Sequence, residues 1–239
     1  MFNTDPNEHL YDSDFYDNVI RMKRDLELDQ SLHNDDLWYN TDFSFDEVRR
    51  VINKAKSNKS VGVDNIPNEA FRNEQSIVYL HALFNKMFST GRIPSLWRIA
   101  ILKPIPKSST LDPRIPLQYR GISLLSTVGK LYTSLLNNRV VNHMDRTERY
   151  VDEQNGFRQK RSCADHIYTL TSILRNRKAQ GLETFVVYID AEKAFDRIER
   201  NLMLYKLLHN GVYGKLYFSI KSIYSESSNI ININGLLTS

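Results

Sequence analysis

The chain has 239 residues, 41% hydrophobic and 25% charged, enough for one good core or two small ones. Its one cysteine, Cys163, excludes an internal disulfide and a cysteine-based zinc site, and no apolar run approaches the roughly 18 residues of a membrane span. The net charge of +4 is uneven: residues 1–47 hold 13 acidic side chains against Arg21, Lys23 and Arg24, a balance of −10, which leaves +14 on the remainder.

A basic body behind an acidic leader suits a nucleic-acid partner, because lysines and arginines that neutralise phosphates supply the sequence-independent part of such affinity. A basic surface that is simply solvated is the plain alternative. The N-terminus lacks a basic region followed by an apolar one, so secretion is not expected and an intracellular or nuclear location is. Residues 1–43 carry Tyr11, Phe15, Tyr16, Trp38 and Tyr39 with little sustained period, a leader that either packs on the body or links it to an upstream module.

Ser44-Phe45-Asp46-Glu47 is a capping-box pattern, and Val48, Val51, Ile52 and Ala55 follow at helical spacing, predicting a helix to about Lys56. Residues 57–67 are a loop by their Ser, Asn, Gly and Pro content. Ile77, Leu80, Leu83, Phe84, Met87 and Phe88 predict a helix from about Ser76 to Thr90, closed by Gly91. Trp97 to Lys107 reads as a strand, with Pro104 and Pro106 favouring an edge position, and Tyr119 to Leu125 as the next strand. A lysine ending one strand and an arginine opening the next suit a hairpin that closes over a triphosphate, Arg120 as a bidentate fork and Lys107 as a point charge, and taken by themselves they read equally as a pair of exposed cations.

A helix from Ser126 places Val128, Leu131, Tyr132, Leu135, Leu136 and Val140 on one face, with Lys130 and Arg139 on another. In residues 154–163, Arg158, Lys160 and Arg161 surround Phe157 beside Gly156, a set that can hold backbone phosphates while the aromatic packs, stacks or anchors the loop. The helix that starts at Ser162, with Asp165 three residues on, ends at Gly181. Phe185 to Ile189 then reads as a strand buried on both faces and ending on Asp190. A carboxylate there is held on a rigid element within reach of a metal or a phosphate, or it caps the turn. Two helices follow, one carrying Leu202 to Leu208 and stopped by Gly211, the other carrying Leu216 to Tyr224. The alternation from Asn229 to Asn234-Gly235 signals a hairpin.

The run Val187-Tyr188-Ile189-Asp190-Ala191-Glu192-Lys193-Ala194-Phe195-Asp196-Arg197-Ile198 resembles the first catalytic box of reverse transcriptases, in the non-LTR (LINE-like) retrotransposon branch. The resemblance implies that Asp190 binds both catalytic magnesium ions, that the Ala191 backbone carbonyl is a further ligand, and that Phe195 screens against a ribose 2′-hydroxyl. Lys59-Ser60-x-Gly62-x-Asp64-x-Ile66-Pro67 is similar to the family's opening box, and Lys59 is taken as a nucleic-acid contact. Ile105-Pro106-Lys107 followed by Tyr119-Arg120-x-Ile122-Ser123 is similar to its fingers hairpin, implying that Lys107 and Arg120 contact the incoming nucleotide. The common form has proline after the arginine, where this chain has Gly121. Gln154-x-Gly156-Phe157-Arg158-x-x-Arg161-Ser162-Cys163-x-Asp165-His166 resembles a further box, with Arg158, Lys160 and Arg161 as nucleic-acid contacts.

The resemblance covers residues 44–239. It implies an α+β right-hand polymerase fold, helix-rich with a small antiparallel sheet: an acidic leader (1–43), fingers (44–180) and the start of a palm (181–239). The implied activity is RNA-directed DNA polymerisation with Mg2+, on an RNA template, a DNA primer and deoxynucleotide triphosphates. The Gln-Gly and Tyr-x-Asp-Asp boxes that the family places downstream are absent from residues 197–239, and the only adjacent aspartates, Asp35 and Asp36, lie upstream. The chain is therefore expected to be a partial domain, a retroelement remnant or a truncated reading frame, inactive on its own. A non-catalytic RNA- or DNA-binding remnant is the alternative. Asp190 with Glu192 two residues on also admits an aspartyl-phosphate phosphotransferase, which accounts for none of the other boxes.

Overall fold

The computed structural model describes residues 12–108, 112, 114–115, 118–191, 194–195, 197–233 and 236–237. They fall into two compact units, one from Leu10–His143 and Arg200–Ser239, the other from Met144–Glu199.

The larger unit is α+β. Its first helix, α1 (Ser13–Leu28), is capped by Asp12, whose carboxylate accepts from the Phe15 amide at 3.0 Å. Only Val19 and Lys23 of α1 are buried, so polar anchors hold it. Lys23 Nζ donates to Asn201 Oδ1 at 2.7 Å, and Glu27 accepts from the Tyr217 hydroxyl and pairs with Lys221 at 2.9 Å. Burial pushes the Glu27 carboxyl up, and the hydrogen bonds from Tyr217 and Lys221 outweigh it, so its pKa is lowered. The leader thus packs on the body over its described residues.

Helix α2 (Phe45–Lys54) starts with the expected capping box: Ser44 N donates to Glu47 Oε2 at 2.8 Å and Glu47 N to Ser44 Oγ at 3.2 Å. It buries Val48, Val51 and Ile52 against α3 (Glu74–Thr90), which Gly91 closes in the left-handed conformation, φ 63°. Helix α4 (Thr127–Arg146) adds Leu131, Tyr132, Leu135 and Leu136 to this core. Helices α6 (Arg200–His209) and α7 (Gly214–Tyr224) complete it with Leu208, Leu216 and Tyr217, each fully buried. Aromatic rings fill the centre: Phe43 packs on Phe88 at 4.6 Å between centroids and Phe84 on Tyr132 at 5.5 Å. Burial pushes the Tyr132 hydroxyl up to about 12, while its bond to Ser219 Oγ, 3.2 Å, pulls the other way.

The sheet is mixed and runs β2-β1-β3-β4. Strands β1 (Ile99–Pro106) and β2 (Tyr119–Leu124) pair antiparallel, β1 and β3 (Ser228–Ile233) pair parallel, and β3 turns back into the short β4 (Leu236–Leu237). This corrects the expected all-antiparallel sheet. Helices separate β1 from β3 in the chain, and such a crossover brings the second strand in parallel. The expected hairpin at Asn234-Gly235 is the β3–β4 pair, although both turn residues lie outside the described residues.

Strand β1 is also no edge strand along its whole length. It is internal over Ile99 to Leu102, where β3 pairs, and open on that side from Lys103 onward. Lys107 N donates to Gln118 O at 2.9 Å, so by strand alternation the nitrogens of Pro104 and Pro106 face away from β2, on the side that β3 has already left. The prolines fall where no ladder needs their missing N–H.

In the smaller unit, α5 (Cys163–Ala179) begins at the expected Ser162–Asp165 capping box and ends at Gly181, φ 68°. The expected strand from Phe185 to Ile189 is not formed. These residues carry no regular secondary structure, their side chains are exposed, Phe185 at 89% and Ile189 at 94%, and no described strand pairs with them. The apolar pattern suits a buried strand, but a strand exists only in a ladder, and without a neighbour its backbone groups bond to water. Among the described residues of this unit only Asn155 is buried.

Candidate nucleic-acid and nucleotide site

In the larger unit, two features prepare a cationic surface. The register of the β1–β2 hairpin places Ile105 opposite Arg120 and Lys103 opposite Ile122. Side chains two apart share a face, so Lys103, Lys107 and Arg120 stand on one side of the hairpin, with the half-exposed Ile105 and Ile122 between them. The expected pairing of Lys107 with Arg120 on a hairpin is thus realised in backbone terms, and Lys103 is an unexpected third cation. Strand parity could have found it. Gly121 sits in the ladder opposite Pro104, and a Cβ there would lie 2.6 Å from Leu102 Cδ1. The glycine makes room for Leu102 across the strand pair, and the backbone beside Arg120 stays regular.

The second feature is the loop 57–67. Gly62 lies so close to α4 that a Cβ would fall 2.1 Å from Leu125 O. This contact lets Asp64 reach the start of α4, where one carboxylate oxygen accepts from Ser126 Oγ at 2.7 Å, Thr127 N at 2.7 Å and Val128 N at 3.3 Å. Ser126 Oγ in turn accepts from Gly129 N at 3.1 Å. Asp64 is a helix cap supplied from 62 residues away, satisfying orphan N–H groups and meeting the positive end of the dipole. Asp64→Ala is expected to cost about 1–2 kcal/mol, read as a lower urea midpoint with an unchanged m-value. Lys59, exposed on the same loop, stands with Lys54 and Lys130 around a cleft of about 820 Å³ floored by Leu131, Leu207 and Ile220.

Arg139 is no available cation. It is 3% exposed, and its guanidinium donates to both Glu47 carboxylate oxygens at 3.1 Å and to the backbone carbonyls of Tyr39, Thr41 and Asp42. It also lies over the Phe43 ring at 4.1 Å.

In the smaller unit, Arg158 secures its own loop, donating to Val151 O at 3.2 Å and standing 5.0 Å over the Tyr150 ring. Lys160 and Arg161 are exposed beside it. The 89% exposed Phe157 meets the 78% exposed Phe195 edge to face, with centroids 6.4 Å apart, joining this loop to the segment that bears Asp190. Asp190 and Ala191 are exposed at the end of the apolar run; Glu192 and Asp196 lie outside the described residues. No group of three His, Cys, Asp or Glu side chains that could hold a metal ion occurs among the described residues. Asp190 by itself does not make a two-magnesium site. The hairpin and the loop 57–67 belong to the larger unit and this segment to the smaller, each with its own cations.

A family model described as reverse transcriptase (RNA-dependent DNA polymerase) matches residues 105–237, more than half of the chain. The chain belongs to the reverse transcriptase family. The match takes in the end of β1 with Lys107, β2 with Arg120, the Arg158 loop, the Asp190 segment and β3. A probable RNA-directed DNA polymerase from transposon BS of Drosophila melanogaster is 28% identical over 183 residues, 76% of this chain and 20% of that protein. The RNA-directed DNA polymerase from mobile element jockey of the same species is 25% identical over 198 residues, 82% of this chain and 21% of that protein. A 149 kDa protein of transposon TX1 from Xenopus laevis is 25% identical over 200 residues, 83% of this chain and 15% of that protein. The resemblance to non-LTR retrotransposon reverse transcriptases read from the motifs is therefore borne out. The chain spans about a fifth of the length of the first two of these relatives. No described helix is long and apolar enough to cross a membrane.

Proposed function

We propose that these residues are the fingers and the opening of the palm of a retrotransposon reverse transcriptase, and that alone they bind nucleic acid without polymerising it. On this reading residues 44–180 supply the fingers behind the acidic leader, and residues 181–239 begin the palm, in a protein that works inside the cell, at the nucleus. The observation that carries it is the family match over residues 105–237, which includes every box from the hairpin to Asp190. The chemistry agrees: cations on exposed hairpin and loop positions can grip phosphates, Lys107 and Arg120 those of a deoxynucleotide triphosphate, Lys59, Arg158, Lys160 and Arg161 those of an RNA template or a DNA primer.

In the intact protein Asp190 and the Ala191 carbonyl would hold Mg2+, which supplies activation of the primer hydroxyl and stabilisation of the leaving pyrophosphate. Phe195 would stand beside the sugar. Protein carboxylates from a separate strand are needed to complete such a site, and residues 197–239 contain no adjacent pair. The test is RNA binding by the 239-residue chain over a range of salt concentrations. Binding that weakens steeply with salt is expected. An affinity that is undetectable at low salt, or indifferent to salt, would overturn the nucleic-acid reading.

A further inference from the structure

Phe157 is held in a conformation that its own side chain disfavours. It and Lys160 both adopt left-handed backbone, φ 62° and 61°. For a bulky residue this is an outlier, of the kind that persists where the surroundings fix it and that gathers at ligand clamps. Glycine would take the position without strain, and Gly156 lies immediately before it. A chain that needed only a turn would place the left-handed residue there.

The strain does not serve packing. Phe157 is 89% exposed, and the loop is anchored instead by Arg158 on Tyr150 and Val151. The conformation turns the ring outward, where the exposed Phe195 steadies it edge to face. Lys160 and Arg161, exposed three and four residues on, supply positive charge beside an aromatic face open to solvent. Rings so placed stack on bases with little regard to sequence, while adjacent cations follow the backbone.

We propose that Phe157, buttressed by Phe195, is a stacking platform for an unpaired base of single-stranded nucleic acid whose phosphates lie against Lys160 and Arg161. The inference rests on the nucleic-acid reading above and adds a residue and a contact type to it. The test measures fluorescence anisotropy of the full 239-residue chain with a labelled uridine 12-mer and with an abasic strand of equal length, each across a salt series.

Phe157→Ala is expected to weaken binding to the uridine strand about tenfold and to leave the abasic strand and the salt slope unchanged. Phe157→Trp should keep the affinity. Phe157→Gly should bind as poorly as the alanine variant while melting at the same temperature as the parent or higher, since glycine suits the backbone. Lys160→Gln with Arg161→Gln should flatten the slope by about 1.4 on both strands.

If Phe157→Ala binds uridine RNA like the parent while the lysine and arginine variant does not, the platform falls and the nucleic-acid reading stands. If the parent binds neither strand, both fall. A drop in melting temperature for Phe157→Gly would mean that the ring holds the fold, which also overturns the platform.

Discussion

Arg139→Ala should cost about 3–5 kcal/mol of stability, the largest effect of any single charge in the larger unit. Truncation leaves the Glu47 carboxylate without its partner and the carbonyls of Tyr39, Thr41 and Asp42 without a donor, in a part-buried place where water replaces them only in part. It also removes a planar cation lying over Phe43. Because Glu47 caps α2 through Ser44, the loss reaches the start of that helix. Arg49 provides the contrast: its pairs with Asp46 and Glu74 are exposed, and Arg49→Ala should cost less than about 1 kcal/mol. Urea unfolding of both variants separates the two cases, and equal midpoints would contradict the account.

The same contact makes the unit acid-sensitive. Burial pushes the Glu47 carboxyl up, but hydrogen bonds from Arg139 and Ser44 more than offset it, leaving its pKa lowered. A carboxylate whose folded pKa lies below its unfolded one adds stability above the unfolded value, about 4.3, and loses it as pH falls through the folded value. Glu27, lowered in the same sense, acts alike on the docking of α1. The urea midpoint should therefore fall as pH drops below about 4.3, and the Glu47 share of that fall should shrink in Arg139→Ala, where only the Ser44 bonds remain.

Gly62→Ala should cost about 3 kcal/mol although the glycine sits in a loop. The added Cβ would lie 2.1 Å from Leu125 O, 2.3 Å from Leu125 C and 2.7 Å from Ser126 N, all backbone atoms that no rotamer change can move aside. The loop must retreat, and with it Asp64 leaves the α4 terminus. The two variants therefore share one contact. Gly62→Ala should cost less in an Asp64→Ala background than alone, and strict additivity in the double-mutant cycle would contradict the coupling.

These residues also mark what the sequence could disclose. Helices α2 and α3 were legible because apolar period and terminal signals agree, the Ser44–Glu47 box at one end and Gly91 at the other. The hairpin was legible from its lysine and arginine, and its register would have exposed Lys103. Arg139 lies seven residues after Tyr132, on the same helical stripe as Leu135 and Leu136, so its position pointed inward while its charge suggested the opposite. Asp64 gave no local signal, since the helix it caps begins 63 residues later. Helix α1 was hidden because it docks through Lys23 and Glu27 rather than an apolar stripe. The run Phe185 to Ile189 has the composition of a buried strand, but pairing depends on a neighbour, which composition does not encode. Of the candidate site, the cationic loops were readable residue by residue. For Phe157 the sequence left packing, stacking and anchoring all open, because the sign of its φ angle is invisible in a motif.

The most direct test of the central claim is template-dependent primer extension by the purified 239-residue chain with Mg2+ and deoxynucleotide triphosphates. No extension is predicted, on the ground that Asp190 has no partner aspartate pair downstream in these residues. Extension that depends on the RNA template and disappears in Asp190→Ala would contradict the account, and would mean that carboxylates within residues 1–239 complete the metal site.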